Sequence, residues 1–208
     1  QYTLSLHDAL PIYRHRDIEP KHQHLDEIRE LFFEGKPLEA GKLALETIGG
    51  GGGISDLPRR IDPYQPAGDI FIEFEGDHED YSRELSLRDA VVTVRHHVNG
   101  AEIERRYFAH HAYPVIVARI HSEEPISADI RLTRTEDPDC ELTEWGVDRV
   151  IGYEGTFIEG LRFAVEAHIG ADGTVTCPEA EASVARIENC TEVLIVASVA
   201  VDPEGHDP

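Results

Sequence analysis

The sequence has no methionine, one tryptophan, three cysteines and three lysines in 208 residues. Each scarcity excludes something. Cys140, Cys177 and Cys190 have no C-x-x-C spacing, so a dithiol redox motif and a zinc ribbon are out. Their odd number does not make a disulfide framework, and we read them as buried thiols. Lys21, Lys36 and Lys42 are the only lysines beside a large arginine complement, and 19 basic residues face 41 acidic ones. The formal net charge of −22 excludes a nucleic-acid backbone binder and docking on an anionic membrane. An acid-rich, lysine-poor surface also suits a solvent whose salt screens self-repulsion. No apolar run approaches the about 20 residues that span a bilayer. The chain opens at Gln1 without a start residue and stops at Pro208 after an acidic stretch, which points to an internal fragment of a longer protein. No compartment can be assigned to it.

Residues 2–12 read YTLSLHDALPI, which matches the translation of a common sequencing adapter along the whole stretch. We therefore expect residues 1–12 to be non-native, the mark of an assembled environmental gene, and leave them out of the fold expectation.

What is present changes character along the chain. Leu25, Ile28, Leu31 and Phe32 make one stripe of a helix, with Asp26 and Glu27 in its first turn. Gly35 is the expected C′ residue, and Pro37 the expected first residue of a second helix that carries Leu38, Ala44, Leu45 and Ile48. Gly49 to Gly53 then form a joint; without a Gly-Lys-Ser/Thr ending they are no phosphate loop. Beyond residue 68 the period drops to two. Ile70, Ile72 and Phe74 alternate, and Val92, Val94 and Val98 share a face. Asn99-Gly100 and Asp172-Gly173 are hairpin signals. Val193 to Val201 is nearly all apolar and predicts a strand buried on both faces. About ten strands at this spacing predict an all-β-dominated fold, a large two-sheet antiparallel β-sandwich with a short two-helix excursion near its front. The expected organisation is 1–12 non-native, 13–53 helical excursion and joint, and 54–208 an incomplete sandwich domain.

No catalytic motif can be derived from these residues. Acid pairs are too numerous to single one out. The run Asp137 to Glu144 lacks the glycine of an EF-hand loop, and we read it as a solvated acidic loop. His96-His97 and His110-His111 are adjacent pairs on or beside predicted strands, where neighbours point to opposite faces, so we expect no metal site. An aromatic platform for a sugar would need tyrosines, and Tyr64, Tyr81, Tyr107 and Tyr153 are candidates, although packing is the plainer role. No cofactor is expected.

Several segments together carry a resemblance. They are Leu25 to Lys36 with Glu39-Ala40, Tyr64-Gln-Pro-Ala-Gly-Asp-Ile70, Tyr81 to Leu87 with Ala90, and Arg106-Tyr-Phe-Ala109. In order and spacing they resemble the N-terminal domain of glycoside hydrolase family 95, the α-L-fucosidases, over roughly residues 20–135. Ser86 stands where that pattern prefers Asp, and His110 where it prefers Ser. The resemblance implies a large β-sandwich packed against a downstream (α/α)6 barrel of the same polypeptide, which supplies the catalytic carboxylates and holds the glycan. It implies no catalytic residue in this chain, because the family's acid and base lie in that barrel. Tyr64, Gln65 and Asp69 are the candidates for the interdomain face or the rim of the site. The alternatives are a free-standing carbohydrate-binding sandwich and the sandwich domain of a maltose-phosphorylase-like enzyme.

Overall fold

The computed structural model describes residues 2–5, 22–47, 66–158 and 160–202. The chain divides into two compact units, residues 13–65 and residues 1–12 with 66–208.

The smaller unit is a helical hairpin. A single 3-10 turn, His22–His24, leads into α1 (Leu25–Phe33), and α2 (Pro37–Thr47) packs against it. The connection is a Schellman motif: Gly35 N–H donates to the Phe32 carbonyl at 3.1 Å and Lys36 N–H to the Leu31 carbonyl at 2.9 Å. Gly35 takes φ 77°, the left-handed conformation expected of it. Pro37 opens α2, as predicted. The apolar stripe is less complete than its spacing implied. Ile28 and Ala40 are buried, whereas Phe32 is 57% exposed and Leu38 88%. Two short helices have too few facing positions to cover every apolar side chain.

The larger unit is built from β1 (Tyr2–Ser5), β2 (Asp69–Phe74), β3 (His78–Ser86), β4 (Val91–Val98), β5 (Ala101–Ala109), β6 (Val115–Thr133), β7 (Cys140–Val147), β8 (Val150–Phe157), β9 (Arg162–Ala171), β10 (Thr174–Thr176) and β11 (Val184–Asp202). All pairings are antiparallel. The main path runs β3-β4-β5-β6-β11-β9-β8-β7.

The two layers share their hydrogen bonds through β6 and β11, each 19 residues long. These two strands pair along nearly their whole lengths, with register shifts between Ile187 and Glu192. On one side of the shift β6 carries β5 and β11 carries β9. On the other side β6 carries β2 and β11 carries β10, and β2 in turn carries β1. Asn189, with φ 54°, sits in the bulge. The all-β antiparallel sandwich expected from the strand spacing is therefore present, as one continuous sheet. Its buried side chains form a single core that includes Ile72, Ile103, Ile120, Ile130, Phe163, Val165 and Ile195. Tyr2–Ser5, inside the stretch expected to be non-native, pairs with β2.

Two local expectations fail. β11 is not buried on both faces: Val193, Ile195, Ala197 and Val199 are buried, while Leu194 is exposed. Ala, Ser and Val fit a half-exposed outer face, so apolarity alone overstated the burial. Asp172-Gly173 does not close a hairpin between β9 and β10, because β10 pairs with β11 instead. The Asp172 carboxylate accepts from Thr191 N–H at 2.9 Å, Glu192 N–H at 3.1 Å and the Thr191 hydroxyl at 2.5 Å. It serves the bulge of β11. Asn99-Gly100 does turn β4 into β5, with φ 51° and 86°. Among the described residues no helix is long and apolar enough to cross a membrane.

Candidate functional site

The lead-in to β2 is held from across the sandwich. Tyr64 and Gln65 lie outside the described residues. Asp69 is the first residue of β2, half-buried, opposite Thr133 on β6. Just before it, the Ala67 carbonyl accepts a 2.6 Å hydrogen bond from the Tyr153 hydroxyl on β8. Gly68 follows with φ 156°, and a Cβ there would fall on that hydroxyl and 2.5 Å from the Thr133 carbonyl oxygen. The glycine of the Tyr-Gln-Pro-Ala-Gly-Asp segment thus answers to a tyrosine far along the chain. Burial pushes the Tyr153 phenol well up, with the carboxylates of Asp69 and Glu144 adding and Arg134 opposing. Tyr153 is a core group and offers no face to a sugar.

Beside it lies a charged pair that the sequence reading did not single out. Arg134 sits 3.4 Å from Asp137, with their side chains 3% and 7% exposed. The guanidinium lies 5.3 and 5.4 Å from the ring centroids of Phe157 and Phe163. Its Nε and Nη1 have no hydrogen-bond partner among the described residues. Asp137 also accepts from Asp139 N–H at 3.0 Å. The acidic run is anchored at its front by this pair and continues into β7, so it is not a solvated loop throughout. The sequence signal was an Arg directly after an alternating strand, three residues before an Asp.

At the shifted middle of the sandwich opens a cleft of about 1050 Å³. Its lining includes Phe74, Ile103 and Ile187 together with Glu75, Glu124 and Glu188. Asp129 in its wall pairs with Arg186 at 3.3 Å, and Glu73 with Arg131 at 3.5 Å.

The histidines divide. His96 and His97 point to opposite faces of β4 as expected. His96 is buried, stacked on His78 with centroids 5.5 Å apart and edge-on to Phe74 at 5.7 Å. Burial, with the Arg105 and His78 charges, lowers its pKa to about 4. His110 and His111 differ from expectation: they stand in the loop after β5, where strand alternation does not apply, and their rings stack at 5.0 Å. Among the described residues no group of three or more His, Cys, Asp or Glu could hold a metal ion. Cys140 and Cys177 are half-buried and Cys190 is buried. Burial pushes the Cys177 and Cys190 thiols up, away from nucleophilic character.

The profile of "Glycosyl hydrolase family 65, N-terminal domain" matches residues 12–205. The chain belongs to that family. The α-L-fucosidase 2 of Arabidopsis thaliana is similar too, 31% identical over 114 residues that make up 52% of this chain and 12% of that protein. Among solved structures, a putative kojibiose phosphorylase from the human microbiome matches with a TM-score of 0.47 at 12% identity, over 70% of this chain and 24% of that one. This chain spans about an eighth of the fucosidase it matches. It is an N-terminal sandwich domain of the glycoside hydrolase type, in keeping with the resemblance carried by its motifs. Within this domain the Tyr153 hydroxyl holds Ala67 and Gly68 just ahead of Asp69, the one rim candidate among the described residues.

Proposed function

We propose that this chain is the non-catalytic N-terminal domain of an enzyme that hydrolyses terminal α-L-fucosyl or α-L-galactosyl linkages. The observation that carries the reading is the 31% identity to an α-L-fucosidase over half of the chain. The sequence motif from Tyr64 to Ile70 supports it, as does the fit of Ala67 and Gly68 to Tyr153. Catalysis then belongs to a helical (α/α)6 barrel further along the same polypeptide, where one carboxylic acid protonates the leaving oxygen and a carboxylate activates water. The sandwich supports that barrel, with Tyr64, Gln65 and Asp69 at their junction.

A second reading, the sandwich domain of a maltose-phosphorylase-like enzyme, draws on the family-65 match. One experiment separates the two. The gene extended beyond residue 208 is expressed and assayed with aryl α-L-fucoside, aryl α-L-galactoside, and maltose with inorganic phosphate. Fucose or galactose release is expected. Phosphate-dependent cleavage of maltose alone would establish the second reading, and no release from either aryl glycoside would sink the first.

A further inference from the structure

The loop between β5 and β6, residues 110–114, carries three aromatic rings to which the proposed role gives no work. The imidazoles of His110 and His111 stack with centroids 5.0 Å apart and planes 24° from parallel. The Tyr113 ring lies 5.0 Å from that of His110. Tyr113 is 67% exposed and His111 is exposed. Phe108, on the adjoining end of β5, is partly exposed as well.

The cluster is held in place. His110 Nδ1 accepts from the backbone N–H of both Ala112 and Tyr113 at 3.1 Å. The neutral ring therefore carries its proton on Nε2. His110 N–H donates to the Val115 carbonyl at 2.9 Å, and Val115 N–H to the Tyr113 carbonyl at 2.8 Å. Pro114 holds its own φ and keeps Tyr113 extended. Rings fixed before a ligand arrives cost little ordering when it binds.

The chemistry of the cluster selects the ligand. The exposed rings of Tyr113 and His111 offer flat polarisable surface, His110 packs against both and supports them, and the Tyr113 hydroxyl places a hydrogen-bonding group at the edge. A pyranose is the complement, with a face of C–H groups and a rim of hydroxyls. A nucleotide base also stacks, but its phosphates meet a chain of net charge −22. We propose that the exposed rings of Tyr113 and His111, braced by His110, form a surface platform that binds a pyranose unit of a glycan through its C–H face. The proposal rests on the reading that the parent enzyme acts on glycans. His110 departs from the family pattern, so the platform belongs to this chain and not to the family at large.

The test is a titration of the 208-residue protein with methyl α-L-fucopyranoside, 2′-fucosyllactose and maltotriose, followed by aromatic ¹H–¹³C NMR. Saturable shifts of the Tyr113 ring signals with at least one sugar are expected, with millimolar affinity. Tyr113→Ala should weaken binding about tenfold, and Tyr113→Phe, which keeps the ring face and loses only the hydroxyl, should weaken it less. Phe33→Ala, which removes an exposed aromatic ring on α1, should change nothing. Circular dichroism checks that each variant is folded. No saturable shift with any of the three sugars would overturn the proposal, as would unchanged affinity in folded Tyr113→Ala. Failure of the enzyme reading is seen separately, in the glycoside assay of the extended gene.

Discussion

The Tyr153 hydroxyl on β8 donates to the carbonyl oxygen of Ala67 at 2.6 Å, and it fills the space that a side chain on Gly68 would need. Two residues 86 positions apart thus determine how the chain enters β2. Tyr153→Phe leaves the Ala67 carbonyl buried without this donor, at a cost of about 1–3 kcal/mol. Gly68→Ala should cost more, because the added carbon meets both the phenol and the backbone at Thr133. Urea unfolding of the two variants checks the order. A Gly68→Ala protein as stable as wild type would remove the argument.

His96 makes stability depend on pH. Its folded pKa is about 4 against 6.5 for an ordinary histidine, so below 6.5 the unfolded chain takes up a proton that the fold refuses. Stability is thus lost as pH falls from 6.5 towards 4, and this loss levels off below that. A drop of this size is worth about 3 kcal/mol at 1.36 kcal/mol per pKa unit. His96→Phe keeps an aromatic ring against Phe74 and His78 and should flatten that part of the pH profile. Chemical denaturation of both proteins between pH 7 and 4 checks it, and equal slopes would refute it.

These two sites differ in how far the sequence revealed them. The alternation of Ile70, Ile72 and Phe74 and the Asn99-Gly100 turn were legible because one buried face and one turn chemistry each leave a local pattern. β3 was not legible, since it is an edge strand exposed along almost its whole length and has no apolar face to alternate. β7, with Glu141, Thr143 and Glu144, was hidden in the same way. The partner of Gly68 could not be read, because nothing near Tyr153 in sequence says which carbonyl it reaches. The rim candidates Tyr64, Gln65 and Asp69 came from the family resemblance alone, whereas the pairing of Arg134 with Asp137 emerged from packing. Tyr113 escaped notice beside its histidines because strand alternation was carried one loop too far.

Asp172 explains why a sequence that looks like a hairpin turn is not one. Its carboxylate is spent on Thr191 and Glu192, and those hydrogen bonds lower its pKa to about 2. The stability it lends is present above the usual 3.8 and is lost as pH falls through 2. Asp172→Asn keeps one acceptor oxygen but loses the charge, and Asp172→Ala loses both. Hydrogen exchange at the Thr191 and Glu192 amides should therefore speed up in the order wild type, Asn, Ala. Unchanged protection in the alanine variant would mean that the bulge of β11 stands without this carboxylate.

Arg134 and Asp137 provide the sharpest energetic test. Both side chains are more than nine-tenths buried, and the guanidinium spends only one nitrogen on its carboxylate. Removing Asp137 alone leaves the cation beside Phe157 and Phe163 without the carboxylate it pairs with among the described residues. Such a loss costs about 3 kcal/mol or more, most of it the burial of an unpaired charge. Removing both charges removes that penalty together with the attraction. Asp137→Ala should therefore be markedly less stable than the double variant Arg134→Met with Asp137→Ala. The methionine keeps the apolar stem against the two rings, so the double variant should unfold within about 1 kcal/mol of wild type. A full denaturant cycle of the two single variants and the double one measures the coupling. If the double variant is the least stable of the set, the pair is a net source of stability and Arg134 does more than neutralise Asp137.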